Sequence, residues 1–253
     1  MSESVRAFER GLRVIRTFGA GRSELTLTEV AQAADLNRAT ARRLLLTLEE
    51  QGYARRVRDR FSLTPRVLEL GYAYLSTFAI PDLALPYLED LSLEVRESTS
   101  IGVLDGTDVT YVGRVPSQRI MSVSIGLGTR FPAYRTSLGR ALMAALSDDE
   151  VVELWGRSDR SSPTPHTVTD LDQLQARLAE VRRRGFALLD QELEVGVRSI
   201  AAPLHDVTGR TIAAVNISTH TSRTTLRELR ATFVPALLRT TAEIDRALAN
   251  RPA

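Results

Sequence analysis

The segment LTEVAQAADLNRATARRLLLTLEEQGYARRVRDRFSL, residues 27–63, leaves few folds open to this chain. Thr26 and Glu29 have the spacing of a capping box, which opens a short helix over roughly 27–34. Asp35-Leu36 reads as a tight turn. Asn37 is a good N-cap for a further helix reaching about Gln51, and Gly52 closes it. On that helix Ala41, Leu44, Leu45 and Leu48 form an inward stripe, while Arg42 and Arg43 point away and Arg38 lies in the exposed first turn. Leu46 also points outward and is expected to be covered by the segment that follows. Tyr53, Val57, Phe61 and Leu63 suggest two short strands turning at Arg58-Asp59-Arg60. A first helix is predicted over 5–18, with Val5, Phe8, Leu12 and Ile15 on one face. Three helices followed by a basic hairpin make a winged helix-turn-helix.

Charge supports a nucleic-acid role for this segment. Residues 1–64 hold 12 Arg against 8 acids, a net +4, whereas the remainder holds 21 against 23. All 33 basic residues are Arg, so every cationic contact is a planar fork suited to phosphate or guanine. A GC-rich genome accounts for that usage equally well. In a helix-turn-helix the second helix enters the major groove by its N-terminal residues. Here those include Asn37, Arg38, Thr40, Arg42 and Arg43, which are expected to read bases. Arg56, Arg58 and Arg60 of the hairpin are expected to meet phosphate or the minor groove, positioning without specifying. The competing reading is a solvated basic face.

Pro65 begins a linker helix predicted to reach Phe78, with Leu68, Tyr72 and Leu75 as an apolar seam, and Pro81 breaks it. The divisions expected are 1–64 for DNA binding, 65–80 for the linker and 81–253 for a second domain. That second part reads as a helix over 82–97 kinked at Pro86 and strands at 99–105 and 108–116 joined through Asp105-Gly106. A strand over 121–125, helices over 136–146 and 148–155, and one from Asp170 to about Gly185 follow. Strands at 186–190, 198–204 and 211–218 and a helix over 225–248 complete it. Antiparallel hairpins with flanking helices give an α+β class.

Polar residues gather in this second part without looking catalytic. Thr136 and Ser137 open a helix whose free N–H groups suit a carboxylate. Asp190 follows one strand, Ser199 opens the next, and Asn216 and Ser218 alternate on the last and share a face. Ordinary capping and turn chemistry explains the same residues. Gly126-x-Gly128 lacks the third glycine of a dinucleotide fingerprint, so no cofactor is expected. With no Cys and three scattered His, no metal site and no Cys nucleophile is expected. Ser137 with His205 or His220 is the only nucleophile–base pairing imaginable, and nothing in the spacing joins them. No signal peptide or membrane span is legible, so a cytoplasmic, nucleoid-associated protein is expected.

These residues resemble the IclR family of bacterial transcription regulators over nearly the whole chain. The matching stretches are RGLRVIRTFG, LTLTEVAQAADLNRATARRLLLTLEEQGY, FSLTPRVLELGYAYL, RFPAYRTSLGRALMA and LLDQELEVGVRSIAAPL. Several resemble the subgroup that controls β-ketoadipate and related aromatic-acid pathways. The resemblance implies a winged helix-turn-helix and a GAF-like effector domain. It implies a homodimer, often a dimer of dimers, on a palindromic double-stranded operator, answering to a small organic or aromatic acid. By alignment it implies an effector pocket of Val123, Phe131, Ser137, Leu138, Asp190, Val197, Ser199, Ala201, Asn216 and Ser218, to which proximity adds Tyr134 and Arg135. The effector carboxylate is expected on the N–H groups near Leu138 and Gly139, with Ser137 assisting and Arg135 turned inward. Asn216 and Ser218 are then expected at the opposite end, and Phe131 and Val123 over an apolar middle. An aromatic ring and a ketoadipate-like dicarboxylate both satisfy that arrangement. An enzyme fused to a DNA-binding domain and an effector-independent DNA binder are the alternative classes.

Overall fold

A computed structural model describes residues 5–19, 21–75, 80–117 and 125–250. The chain divides into two compact units between residues 77 and 78. The first of these units includes the described part of the segment expected to form the linker helix.

In the first unit α1 spans Arg6–Ile15, β1 Leu25–Thr26, α2 Leu27–Ala33 and α3 Arg38–Glu50. Strands β2 (Ala54–Val57) and β3 (Arg60–Leu63) form the wing, and β1 pairs with β3 to give a three-stranded sheet ordered β1-β3-β2. Thr26 and Glu29 form the complete capping box at α2. Asn37 Oδ1 accepts from Thr40 N at 2.8 Å and so caps α3. Val14, Leu25, Val30, Ala34, Leu45 and Phe61 make the core. The apolar face that periodicity marks on α1 is not the one the unit buries. Val14 is fully buried, whereas Val5, Phe8 and Leu12 are exposed and only Ile15 of the expected stripe is half-covered. After a 3₁₀ turn at Pro65–Val67, α4 covers Leu68–Leu75.

In the second unit α5 spans Ile80–Val95 and includes Pro81, whereas the residues just before it, where the linker helix was expected to end, lie outside the described residues. Pro86 is accommodated within it. The strands are β4 (Ser98–Asp105), β5 (Asp108–Val115) and β6 (Arg130–Pro132). Helices α6 (Ser137–Met143), α7 (Asp148–Arg157) and α8 (Leu171–Arg184) follow. Then come β7 (Ala187–Asp190), β8 (Val197–His205), β9 (Thr211–His220), α9 (Leu226–Glu228) and, past a π-helical stretch over Leu229–Phe233, α10 (Val234–Ala249). The six strands form one antiparallel sheet ordered β6-β5-β4-β9-β8-β7. The strand expected over 121–125 lies almost wholly outside the described residues, and β6 was not foreseen.

Strand alternation gives this sheet two different faces. Ile101, Ile200, Ala202, Leu204, Val215 and Ile217 pack with α5 and α10. Val109, Tyr111, Ala187, Leu189, Ala201 and Ala214 pack with Leu138, Ala141 and Leu142 of α6 and Val181 of α8. Two glycines let α6 lie close. A β-carbon at Gly102 would sit 3.0 Å from Leu138 Cδ1, and one at Gly139 would sit 2.1 Å from the Ala133 carbonyl oxygen. Outside α6, Tyr134, Met143, Val151, Leu154, Trp155, Leu174 and Leu178 form a further core. Among the described residues no helix is long and apolar enough to cross a membrane, and no cluster of side chains suited to a metal occurs.

Candidate functional sites: an arginine-bearing recognition helix and a buried polar face

On α3 the inward side is fixed by Ala41 and Leu45, both fully buried. Arg38 and Arg42, one turn apart, are exposed, and neither makes an ion pair or side-chain hydrogen bond among the described residues. Arg43 is also exposed but sits on the flank where Thr40, Leu44, Thr47 and Leu48 face Phe8 and Leu12 of α1. Asn37 spends its carbonyl oxygen on the cap, so only its amide N–H groups remain to donate outward.

The wing arginines divide by what already holds them. Arg58 occupies the turn with a φ of 58°. Arg56 donates from Nε to the Arg58 carbonyl at 2.9 Å and stacks over Phe61, its guanidinium carbon 5.8 Å from the ring centre, which braces the hairpin. Arg60 donates to the Glu24 carbonyl at 3.2 Å and pairs with Glu29 at 3.7 Å, so part of its charge is spent internally. Arg55, on β2, donates to Ser62 Oγ at 3.1 Å.

On the sheet face under α6, two polar rows run across adjacent strands. Ser98, Ser218 and Ser199 lie in register across β4, β9 and β8, and Arg114, Ser100, Asn216 and Ala201 form the next row from β5 to β8. Ser98, Ser100, Asn216 and Ser218 are buried. Asn216 Nδ2 donates to Ser218 Oγ at 3.1 Å, and its Oδ1 is buried with no donor. Arg114 donates to Ser100 Oγ and Ser98 Oγ, each at 3.4 Å, and meets no carboxylate among the described residues. Burial pulls its pKa down, and the nearby Tyr111 phenol acts in the other direction. Burial likewise pushes Tyr111 up to about 12, so its hydroxyl stays protonated. Phe131 meets Tyr111 edge-on with ring centres 5.8 Å apart.

This face gathers Phe131, Leu138, Val197, Ser199, Ala201, Asn216 and Ser218, with Ser137 buried in the first turn of α6 above it. Val123 lies outside the described residues. Three expected members go elsewhere. Asp190 alternates to the opposite face, where Arg198 Nε donates to it at 2.7 Å, and it lines a separate cleft of about 350 Å³ with Arg177, Arg184 and Arg230. Tyr134 packs edge-on against Trp155 and donates its hydroxyl to the Ser161 carbonyl. Arg135 donates to Ser161 Oγ at 2.8 Å. Of the two N–H groups expected to cradle a carboxylate at the start of α6, that of Gly139 is already taken. Gly139 N donates to Thr136 Oγ1 at 3.0 Å, and the Ala133 carbonyl presses against Gly139. Sequence reading missed Ser98, Ser100, Tyr111, Arg114 and Leu189, and strand register is the signal that gathers them. Ser137 is not joined to the histidines either, since His205 pairs with Asp245 and His220 with Ser222.

A winged helix-turn-helix whose exposed α3 arginines have no ion pair among the described residues, on one chain with an α+β domain that half-buries an unpaired cation beside a buried unmet acceptor, defines a DNA-binding transcription regulator with a separate sensing domain. The IclR helix-turn-helix model matches residues 7–58, and the model for the bacterial transcriptional regulator IclR C-terminal domain matches residues 72–246. The chain belongs to the IclR family. It is 41% identical over 230 residues to the Pca regulon regulatory protein of Pseudomonas putida, covering 90% of this chain and 79% of that one. It superposes on the crystal structure of a transcriptional regulator from Rhodococcus sp. RHA1 with a TM-score of 0.85 at 50% identity, over 97% and 98% of the two chains. An IclR homologue from Microbacterium hydrocarbonoxydans complexed with 4-hydroxybenzoate superposes with a TM-score of 0.84 at 25% identity, over 96% and 98%.

Proposed function

We propose that the protein is a ligand-responsive regulator, not an enzyme, of an aromatic-acid catabolic operon, working in the cytoplasm on the nucleoid. Its effector is a small aromatic or dicarboxylic acid bound between α6 and the polar sheet face. The observation that carries this reading is the half-buried Arg114 without a counter-ion beside the donorless Asn216 Oδ1. A domain built only for dimerisation has no use for either. The Pca regulon relative and the 4-hydroxybenzoate complex of the homologue support the same class of effector. The test is calorimetry of the purified protein with 4-hydroxybenzoate, protocatechuate and β-ketoadipate, followed by operator titration with and without the binder. Binding that changes operator affinity is expected. Turnover of any of these acids without an effect on DNA favours the enzyme reading.

On DNA the protein acts as a two-fold dimer, two of which pair into a tetramer. Arg38 and Arg42 face base edges, Thr40 and Arg43 reach the DNA from the flank of α3 nearer α1, Asn37 caps the helix and adds an amide donor, and Arg56, Arg58 and Arg60 follow the backbone. Support for the dimer comes from apolar side chains that the single chain leaves open. Leu68 and Tyr72 of α4 are 71% and 68% exposed, and Val5 and Phe8 of α1 are 67% and 68% exposed. Sedimentation at micromolar protein is expected to give a dimer or larger, and Leu68→Glu with Tyr72→Glu is expected to shift it towards monomer. A wild-type monomer there would sink the proposal.

Arg58→Ala is expected to weaken binding to all duplexes alike and to lower the slope of log affinity on log salt by about one per wing. Fluorescence anisotropy across a salt series reads both. A change of sequence preference without a change of slope would place Arg58 at a base instead.

A further inference from the structure

We propose that Arg114 is the anchor for the effector's single carboxylate and that Asn216 Oδ1 takes a hydroxyl donor from the same molecule. The effector would then be a compact hydroxyl-bearing monocarboxylic acid rather than a dicarboxylate. This rests on the reading of the second domain as an acid sensor and narrows it.

The argument begins with charge. Arg114 stands on the α6 side of the sheet opposite Ser100, and its guanidinium reaches only two serine hydroxyls, at 3.4 Å each. A guanidinium half withdrawn from water without an anion carries part of that desolvation cost in the empty protein. Elsewhere in the second unit Arg140 pairs with Glu192, Arg198 with Asp190 and Arg223 with Glu97, while Arg135, away from this face, meets only Ser161. Arg114 therefore stands as a cation awaiting a partner, and its fork suits a carboxylate. Only one such cation faces this patch among the described residues, so a second carboxylate would have no counter-ion there.

The second step is the acceptor. Asn216 is 2% exposed, and its Oδ1 has no donor. A buried orphan acceptor costs free energy that an incoming O–H removes. A carboxylate cannot supply that donor, whereas a phenolic or alcoholic hydroxyl can. Arg114 and Asn216 lie two strands apart in one row, with backbones about 10 Å apart at ordinary strand spacing. One molecule of a single ring's size bridges them. Phe131, Tyr111 and Leu138 supply flat apolar surface on the same face.

The test is calorimetry and thermal melting of the full chain with 4-hydroxybenzoate, benzoate, 4-hydroxybenzamide and adipate. Wild type is expected to prefer 4-hydroxybenzoate to each of the others by about 10-fold or more. Arg114→Gln is expected to weaken 4-hydroxybenzoate by about 10- to 100-fold and to erase its advantage over the amide, with Arg114→Lys recovering part of the loss. The ligand-free melting temperature of Arg114→Gln is expected to equal or exceed that of wild type, because an uncompensated charge has been removed. Asn216→Leu is expected to erase the preference for 4-hydroxybenzoate over benzoate. If wild type binds the acid and Arg114→Gln binds it within about twofold, the anchor is wrong and the sensor reading stands. A lowered ligand-free melting temperature without rescue by Lys makes Arg114 structural and overturns the inference. Tighter binding of adipate than of 4-hydroxybenzoate overturns the hydroxyl contact. If wild type binds none of the three carboxylates, the aromatic-acid reading falls and takes the inference with it.

Discussion

Arg140→Ala is expected to destabilise the second domain by about 3–5 kcal/mol, because it strands a carboxylate in the interior. Arg140 is 1% exposed and Glu192 8%. Arg140 Nη1 donates to Glu192 Oε1 at 3.0 Å and Nη2 to Oε2, while Nε donates to the Tyr134 carbonyl at 2.8 Å. Burial draws the Arg140 pKa down, and the charge of Glu192 opposes that pull. The pair fastens α6 to the chain after β7, where Thr167 Oγ1 also donates to the Glu192 carbonyl at 2.7 Å. Charge removal on one side alone leaves the other ion unpaired, so Glu192→Leu is expected to cost a similar amount. The double variant Arg140→Met with Glu192→Leu should recover most of the loss, since both desolvation costs disappear together. Urea denaturation of these variants and wild type, with the single variant Arg140→Met added to close the cycle, reads the coupling. Single variants within about 1 kcal/mol of wild type would show that water already reaches this pair.

Glu192 also illustrates what the sequence conceals. The segment Asp190-Gln191-Glu192 stands out as polar at the end of a strand, and alignment favours Asp190 as its functional member. The register Leu189↔Ser199 and Asp190↔Arg198 sends Asp190 to the other face and brings Leu189 under α6. A one-residue ambiguity in a strand exchanges the faces completely. The same cause hid Arg114. Counting by twos from Val109 and Tyr111 assigns Gly113 and Val115 to the α6 side and Arg114 to the far side. The register shifts between Ile101 and Gly102, which pair with Gly113 and Tyr111, so Val112 is an extra residue and Arg114 returns to the α6 side. Bulges of this kind leave no mark in a periodicity.

Features written in short-range chemistry were legible. The capping box at Thr26, the Asn37 cap and the left-handed Gly185 closing α8 appear where local rules put them, and the β4–β5 hairpin turns at Gly106-Thr107, one residue past the expected Asp105-Gly106. The inward side of α1 was not legible. An apolar stripe at Val5, Phe8 and Leu12 looks like core, yet this stripe is exposed in the single chain. Periodicity reports that a face is to be covered and not what covers it. The start of α6 misled for a related reason. Free N–H groups were expected there, but Thr136 Oγ1 takes that of Gly139.

Arg42→Ala is expected to cost the dimer about 2–6 kcal/mol on its own operator, because one substitution removes a contact worth about 1–3 kcal/mol from both half-sites. Arg42 extends from the exposed side of α3, one turn beyond Arg38, opposite the anchoring side chains of Ala41 and Leu45. Its backbone is set by a helix capped at Asn37, and among the described residues no ion pair competes for its guanidinium. A bidentate guanine contact is lost whole when the side chain is cut, so discrimination at one base position should relax symmetrically in the two halves. Arg60→Ala supplies the contrast within the same domain, since its guanidinium already serves the Glu24 carbonyl and Glu29. It should lower affinity modestly on every duplex and leave the preferred sequence intact. Selection of bound sequences from a random pool, followed by titration of the winning palindrome, measures both. An Arg42→Ala protein that selects the wild-type palindrome and binds it with wild-type affinity would remove Arg42 from the reading surface and shift base recognition to Arg38 and Arg43.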